Sequence, residues 1–348
     1  MKLDWHSIRI ELREPLRISR ATMSTRDAVW VTFTDADTLG RGEVVTSPRL
    51  GITLDAIDRA LRQVADWVAT ERDPRELRVR LPELRALLPD ALPVVAAVDV
   101  ALHDFLAIRA GQPLDAYLGM PQWDSAPTAY TLGIVPVENA VRGARELTAA
   151  GFTVLKLKLG STTPDDDIAR VRAVRAAAPD ARLILDPNGA WDAETAVRVL
   201  TDLADARIAA VEQPVPAGEL AALDAVAAAI PMPVIADEDA GTVEQLELLP
   251  PSVAGINIKL AECGGLHAAV AMIEWARTAR MDVMLGCQAS TSASIAPAAH
   301  LSGAARWIDL DGHLLIADDP WRGLAGSDGI LRRPAGLGSG IERRETAA

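Results

Sequence analysis

Cysteine is nearly absent from this chain, and so are long apolar runs and any surplus of positive charge. The only two cysteines, Cys263 and Cys287, provide neither a disulfide framework nor the paired spacing of a zinc finger. The formal net charge of −13 argues against the basic face that nucleic acid requires. Charges from Lys2 onward leave no apolar signal region, and no run of about 18 apolar residues reads as a membrane span. These absences predict a cytoplasmic protein without nucleic-acid or membrane partners, acting on a small-molecule substrate. A homo-oligomer stays open. Net charge does not choose the substrate, because local pocket charge can oppose it. What is present is a globular composition, 49% hydrophobic and 24% charged. The 348 residues suit a (β/α)₈ barrel of about 250 residues plus a smaller partner.

The first fifty residues read as strands. Ser7–Arg13 alternates polar with apolar residues, and Ala28–Phe33 is β-branched and aromatic. Between them, Ser19–Arg26 reads as a polar loop carrying Arg20 and Arg26. Helical periodicity follows over residues 54–70. A second helix, Pro93–Ala110, is apolar nearly all round, as expected of a helix buried between two domains; His103 and Asp104 within it read as structural. From about residue 126 strand and helix patterns alternate. Strands fall near 127–132, 153–158, 182–187, 208–213, 233–237, 255–259, 282–286 and 306–310, with seven helical patterns between them. Eight strands with helical crossovers imply a parallel barrel. An open doubly wound sheet would gather its functional residues at one switch point, whereas here charges end six or more consecutive strands. The Gly336–Gly340 stretch lacks the βαβ context of a nucleotide loop.

Those strand-end charges carry the chemistry. Lys156 and Lys158 share one face of Leu155–Gly160, since successive strand residues point to opposite sides. Asp186, Glu212 and Asp237 end the next three strands, so their carboxylates converge on one side of a barrel mouth. Bare carboxylates in contact repel, and an oxygen-preferring divalent cation such as Mg²⁺ removes that cost. Asn188 can face the same side as a neutral helper, and the missing histidine ligands argue against zinc. Lys158 and Lys259 flank the carboxylates in strand order and face each other across a closed barrel. Nearby cations are expected to depress their pKa values and supply neutral amine. Two bases on opposite faces of a metal-bound carboxylate suit removal and return of an α-proton through an enediolate. A Schiff-base lysine would leave the three acids unexplained.

The motifs Lys156-Leu157-Lys158, Asp186-Pro187-Asn188, Val211-Glu212-Gln213-Pro214, Ala236-Asp237-Glu238 and Ile258-Lys259 resemble those of the enolase superfamily, in its muconate-lactonizing-enzyme-like subgroup. The resemblance implies an α+β capping domain over residues 1–122, a modified TIM barrel, (β/α)₇β, over 123–319, and a C-terminal segment, 320–348, returning to the cap. It also implies Mg²⁺ at Asp186, Glu212 and Asp237, with Lys158 and Lys259 as the acid/base pair. Lys156 becomes an auxiliary cation near the substrate carboxylate, with Asn188 and Glu238 as auxiliary residues.

On the last strand, Asp309-Leu310-Asp311-Gly312 resembles the aspartate pair with which dipeptide epimerases hold a free α-ammonium. A solvated turn is the structural alternative. After the seventh strand, Gly286-Cys287-Gln288-Ala289-Ser290 departs from the family's usual Gly-Cys-Met-x-Glu-Ser, so side-chain specificity does not transfer. Gln288, Arg20 and Arg26 are candidate substrate contacts. The expectation is a Mg²⁺-dependent isomerase epimerising the carbon next to a dipeptide carboxylate. N-acylamino-acid racemase, o-succinylbenzoate synthase and muconate-type cycloisomerase chemistry are the alternatives on the same scaffold, but they leave the two aspartates without a cation. A sugar-acid dehydratase would need a histidine near the seventh strand, and none is there. A non-catalytic metal-binding barrel would not need both lysines.

Overall fold

The computed structural model describes residues 1–161 and 163–344. Its first layer is an antiparallel meander of β1 (Lys2–Ile18), β2 (Ala21–Asp35) and β3 (Thr38–Val45). The expected polar loop over Ser19–Arg26 is corrected. Only residues 19 and 20 turn, and pairing continues to Ile18 opposite Ala21 after a register shift between Glu11 and Leu16. The tip is polar because it projects past the cap core towards the barrel mouth, so alternation there does not report burial.

Behind the meander lie the helices Leu54–Ala69 and Leu92–Arg109. The first buries one stripe, including Ile57, Leu61, Val64 and Val68. The second is buried all round, because one side packs on the cap sheet while Val100 and Ala107 join the barrel core. By length and composition this apolar segment could cross a bilayer, which corrects the expectation that no such run exists; 83% of its apolar window is buried in the fold. Asp99 accepts the N–H groups of Leu266 and His267, capping a barrel helix, Leu266–Ala279. Asp104 accepts N–H bonds from Arg41 and Ser339. The polar residues of this helix are therefore structural.

After β4 (Ser125–Pro127) come eight parallel strands: β5 (Ala129–Leu132), β6 (Val154–Lys158), β7 (Arg182–Asp186), β8 (Ile208–Glu212), β9 (Val234–Ala236), β10 (Gly255–Ile258), β11 (Asp282–Leu285) and β12 (Trp307–Ile308). They pair in sequence order, each reached through helical crossovers. The barrel is nearly closed. Its seam is bridged by Thr128 Oγ1, which accepts Leu310 N–H at 3.2 Å, and by Asp311, which accepts Thr131 N–H at 2.6 Å.

The last segment returns to the cap. β13 (Trp321–Arg322) pairs with β15 (Glu342–Arg343), and β14 (Ile330–Arg332) pairs with β4. Trp321 meets Trp30 of β2 edge-on at 5.0 Å. Gly338, at φ 61°, lies where any Cβ would strike Asp104 Oδ1, so the glycine-rich stretch is a packing device against the buried helix.

Candidate active site

Alternation along each strand sorts the barrel interior into storeys. The floor is apolar: Ala129, Val154, Ile184, Ala210, Ile235, Met284 and Trp307 form their own buried cluster. Two residues further along each strand the inward positions turn polar, giving Thr131, Lys156, Asp186, Glu212, Asp237 and Asp309. Lys158 and Asp311 stand one storey higher, and Asn257 and Lys259 come from the strand opposite. The outward leucines and valines of the same strands pack against the surrounding helices. Gly286 is required at its inward position, because a Cβ there would lie 2.4 Å from Asn257 Oδ1.

Lys156 Nζ is buried among three carboxylates, 3.0 Å from Asp186, 2.6 Å from Glu212 and 2.8 Å from Asp309. Burial alone would lower its pKa, but Asp309, Glu212 and Asp186 outweigh it and hold the group well above the usual lysine value. Lys158 Nζ lies 2.5 Å from Asp186 Oδ2, and Lys259 Nζ 2.5 Å from Asp237 Oδ2. They stand on β6 and at the end of β10, four strands apart in an eight-stranded barrel. Burial opposes the charge on Lys259, yet Asp237, Glu262 and Glu212 raise its pKa above the usual value. For Lys259 this corrects the expected depression: its ammonium meets a carboxylate before it meets another cation. For Asp186 the penalty of burial is likewise outweighed, by Lys158 and Lys156, and its carboxyl is held far below the usual range.

The three carboxylates are all but inaccessible, Asp186 and Glu212 at 0% and Asp237 at 2% exposure. Burial and mutual repulsion push Glu212 up to about 8. Burial first, then Glu238, Glu262 and Asp186, push Asp237 up to about 6 against the pull of Lys259. Glu212 and Asp237 are therefore short of positive charge, whereas Asp186 draws it from Lys158 and Lys156. Among the described residues the three do not stand as a ready-made cage. Lys156 instead bridges two of them. Their donor chemistry nevertheless fits a hard divalent ion: all ligands are oxygens, Glu212 Oε2 meets only the Lys156 ammonium, and Asn188 Oδ1 is buried without a hydrogen-bond partner. Asn257 Nδ2 donates to Glu212 Oε1 at 2.9 Å, and Asn188 N–H donates to Asp186 Oδ1 at 2.9 Å. Gln213 Oε1 accepts Asp237 N–H at 3.0 Å.

Asp309 and Asp311 divide their oxygens between fold and cleft. Asp309 Oδ2 is held by Lys156, and Oδ1 has no partner although buried. Asp311 Oδ2 takes the seam bond, and Oδ1 faces only the Cys287 thiol at 3.8 Å. Burial and the Asp309 charge push Asp311 up to about 7. Asp309 is one ammonium away from Asp186 and Glu212, because barrel closure brings β12 round to β5 and β6.

Above these storeys the cap and barrel enclose a cleft of about 460 Å³. Arg20, Arg26 and Gln288 all line it, as do Lys156, Lys158, Lys259, Asn188, Asp309 and Asp311. Arg20 pairs with Glu238 at 2.7 Å and also donates to the Asn188 carbonyl. Arg26 donates to the Thr46 carbonyl at 2.6 Å and to Gln288 Oε1 at 3.3 Å. Sequence reasoning missed Asn257 and the pair formed by Arg49 and Glu262. Asn257 was detectable, since it precedes Lys259 by two and shares its face. Glu262 had no such signal, because it sits on a one-turn helix after the strand.

Comparison with known proteins gives consistent matches. Residues 139–347 match the model described as enolase C-terminal domain-like, and residues 5–119 match the N-terminal domain of mandelate racemase / muconate lactonizing enzyme. An L-Lys-D/L-Arg epimerase of Methylococcus capsulatus is 37% identical over 94% of this chain and 95% of its own. An L-Ala-D/L-Glu epimerase of Bacteroides thetaiotaomicron is 31% identical over 93% and 83%. The crystal structure of a dipeptide epimerase from Methylococcus capsulatus, complexed with Mg and the dipeptide L-Arg-D-Lys, superposes with a TM-score of 0.90. It is 34% identical and covers 98% of this chain and 99% of its own.

Proposed function

The chain belongs to the mandelate racemase/muconate lactonizing enzyme family of the enolase superfamily, and from that premise we propose that it is a Mg²⁺-dependent dipeptide epimerase. The observation that carries the reading is the placement of Lys158 and Lys259 four strands apart, on either side of one buried carboxylate set. We assign Asp186, Glu212 and Asp237 to hold the metal, with Asn257 orienting Glu212. Bound there, Mg²⁺ would neutralise the charge that develops on the substrate carboxylate as the α-proton leaves.

The chain's own groups do the rest. One lysine amine takes the proton from Cα, and the electron pair passes into the adjoining carboxylate. The ammonium on the other face then delivers its proton to the planar carbon, inverting it. Lys156 ties the metal-ligand carboxylates to Asp309 and adds positive charge beneath the reacting group. The free Oδ1 atoms of Asp309 and Asp311 accept N–H bonds from the dipeptide ammonium. These two oxygens favour a free amine over an N-acyl group, which brings no positive charge to them.

The test is α-proton exchange in heavy water across a dipeptide library, read by mass spectrometry with Mg²⁺ present. Exchange next to the C-terminal carboxylate supports the assignment. If N-acetylated compounds exchange as fast as free dipeptides, the ammonium clamp is wrong and an N-acylamino-acid racemase takes its place.

A further inference from the structure

The strand ends that carry Asp186, Glu212 and Asp237 are tied together at one residue, Gln213, which follows Glu212 directly. Its backbone N–H donates to the Ile235 carbonyl of β9 at 2.9 Å, and its own carbonyl accepts the N–H of Gly189, just past Asp186, at 2.8 Å. Its side chain is inaccessible and wholly used. Oε1 accepts Asp237 N–H at 3.0 Å and Asp239 N–H at 3.3 Å. Nε2 donates to the Val215 carbonyl at 3.0 Å and to Asp239 Oδ2 at 2.8 Å. The backbone at Gln213 is left-handed, with φ 36°, a conformation that a non-glycine residue keeps only when its surroundings over-determine it. Asp239 completes the brace. It is 5% exposed, and its Oδ1 accepts Gly218 N–H at 2.6 Å. Both donors that hold this carboxylate are neutral, so its charge is left to be offset by a cation nearby. The Gln213 amide joins it to the backbone of Asp237 and polarises along that line.

We infer that Asp239, acting through Gln213, is a positioning residue that fixes the spacing of the three ligand carboxylates and so selects a small divalent cation. This rests on the metal assignment above and adds a size limit to it. Mg²⁺ takes oxygen ligands at about 2.0–2.1 Å in near-ideal octahedral geometry, whereas Ca²⁺ takes them at about 2.3–2.6 Å and tolerates irregular sites. Carboxylates that can spread admit the larger ion. Carboxylates braced across β7, β8 and β9 penalise it. Asparagine cannot stand in for Asp239, because its one oxygen satisfies either Gln213 Nε2 or Gly218 N–H, and its NH₂ group then confronts the other donor. Losing the brace therefore frees Gln213, and with it the end of β9 that carries Asp237.

The test is calorimetric titration of the metal-free chain with MgCl₂ and with CaCl₂, for the parent, Asp239→Asn and Asp239→Ser. The smaller serine covers the case in which the asparagine variant fails to fold. The parent should bind Mg²⁺ more tightly than Ca²⁺. Asp239→Asn should weaken Mg²⁺ binding about 10- to 100-fold, the usual scale for residues that support a ligand, and Ca²⁺ binding much less. The ratio of the two affinities should therefore collapse, and Asp239→Ser, whose hydroxyl can satisfy only one of the two donors, should lower it as well. Thermal melts of the metal-free variants read the alternative that Asp239 merely shapes the turn after β8. A lower melting temperature with the affinity ratio unchanged overturns the inference. So does an equal loss of affinity for both ions, or a parent with no preference for Mg²⁺. If the parent binds neither ion, the metal assignment falls and this inference falls with it.

Discussion

Replacing Asp311 with asparagine separates binding from folding at a single atom. Asp311 is 2% exposed and uses Oδ2 to accept Thr131 N–H across the barrel seam. Asparagine can keep that bond with its amide oxygen. Its NH₂ group then replaces Oδ1 in the cleft, so a donor confronts the substrate ammonium where an acceptor stood. Removing one partner of a desolvated charge pair costs roughly 2–5 kcal/mol, and the lower end corresponds to about 30-fold in kcat/KM. Stability should move the other way. In the folded chain the Asp311 carboxyl is pushed from 3.8 to about 7 by burial and Asp309, so the folded state binds its proton more tightly than the unfolded chain. The cost of ionising it grows from pH 4 upward and is complete above pH 7. At 1.36 kcal/mol per pKa unit that shift amounts to at most about 4 kcal/mol. Asp311→Asn should therefore melt higher than the parent at pH 8, with the difference closing near pH 4. The assays are steady-state kinetics on a dipeptide and thermal melts across pH. An unchanged kcat/KM refutes the ammonium clamp, and a lower melting temperature at pH 8 refutes the electrostatic account.

Asp237→Asn should weaken Mg²⁺ binding, measured calorimetrically, and turnover with it; full activity in excess chelator would exclude the metal assignment. Lys158→Ala should abolish solvent exchange from one epimer and Lys259→Ala from the other, each followed by mass spectrometry from pure stereoisomers. If neither exchange is lost, the two-base scheme fails. Asn257→Ala removes the amide that orients Glu212 and should lower metal affinity about 10- to 100-fold, the usual scale for residues that support a ligand. Unaltered affinity would leave Asn257 without a role in the metal site.

Much of the site was legible because a strand has a period of two and a parallel barrel repeats. Lys156 and Lys158 declare a shared face by their spacing, and Asp186, Glu212, Asp237 and Lys259 recur at the same point of successive units. Both signals are local, so they survive in one dimension. What depends on closure does not: the contact of Asp309 with Lys156 exists only because the eighth strand returns beside the first two. The hairpin tip misled for a related reason. Residues 19–26 face a cleft on one side and solvent on the other, so both faces are polar and the alternation that marks a half-buried strand disappears. The cap-to-barrel pairs carry no sequence signal at all, since Arg20, Arg26 and Arg49 look alike until their partners are known. Composition can count the charges that line a pocket, but only the fold shows that Glu238 is paired with Arg20 and Glu262 with Arg49, while Arg26 meets the neutral Gln288.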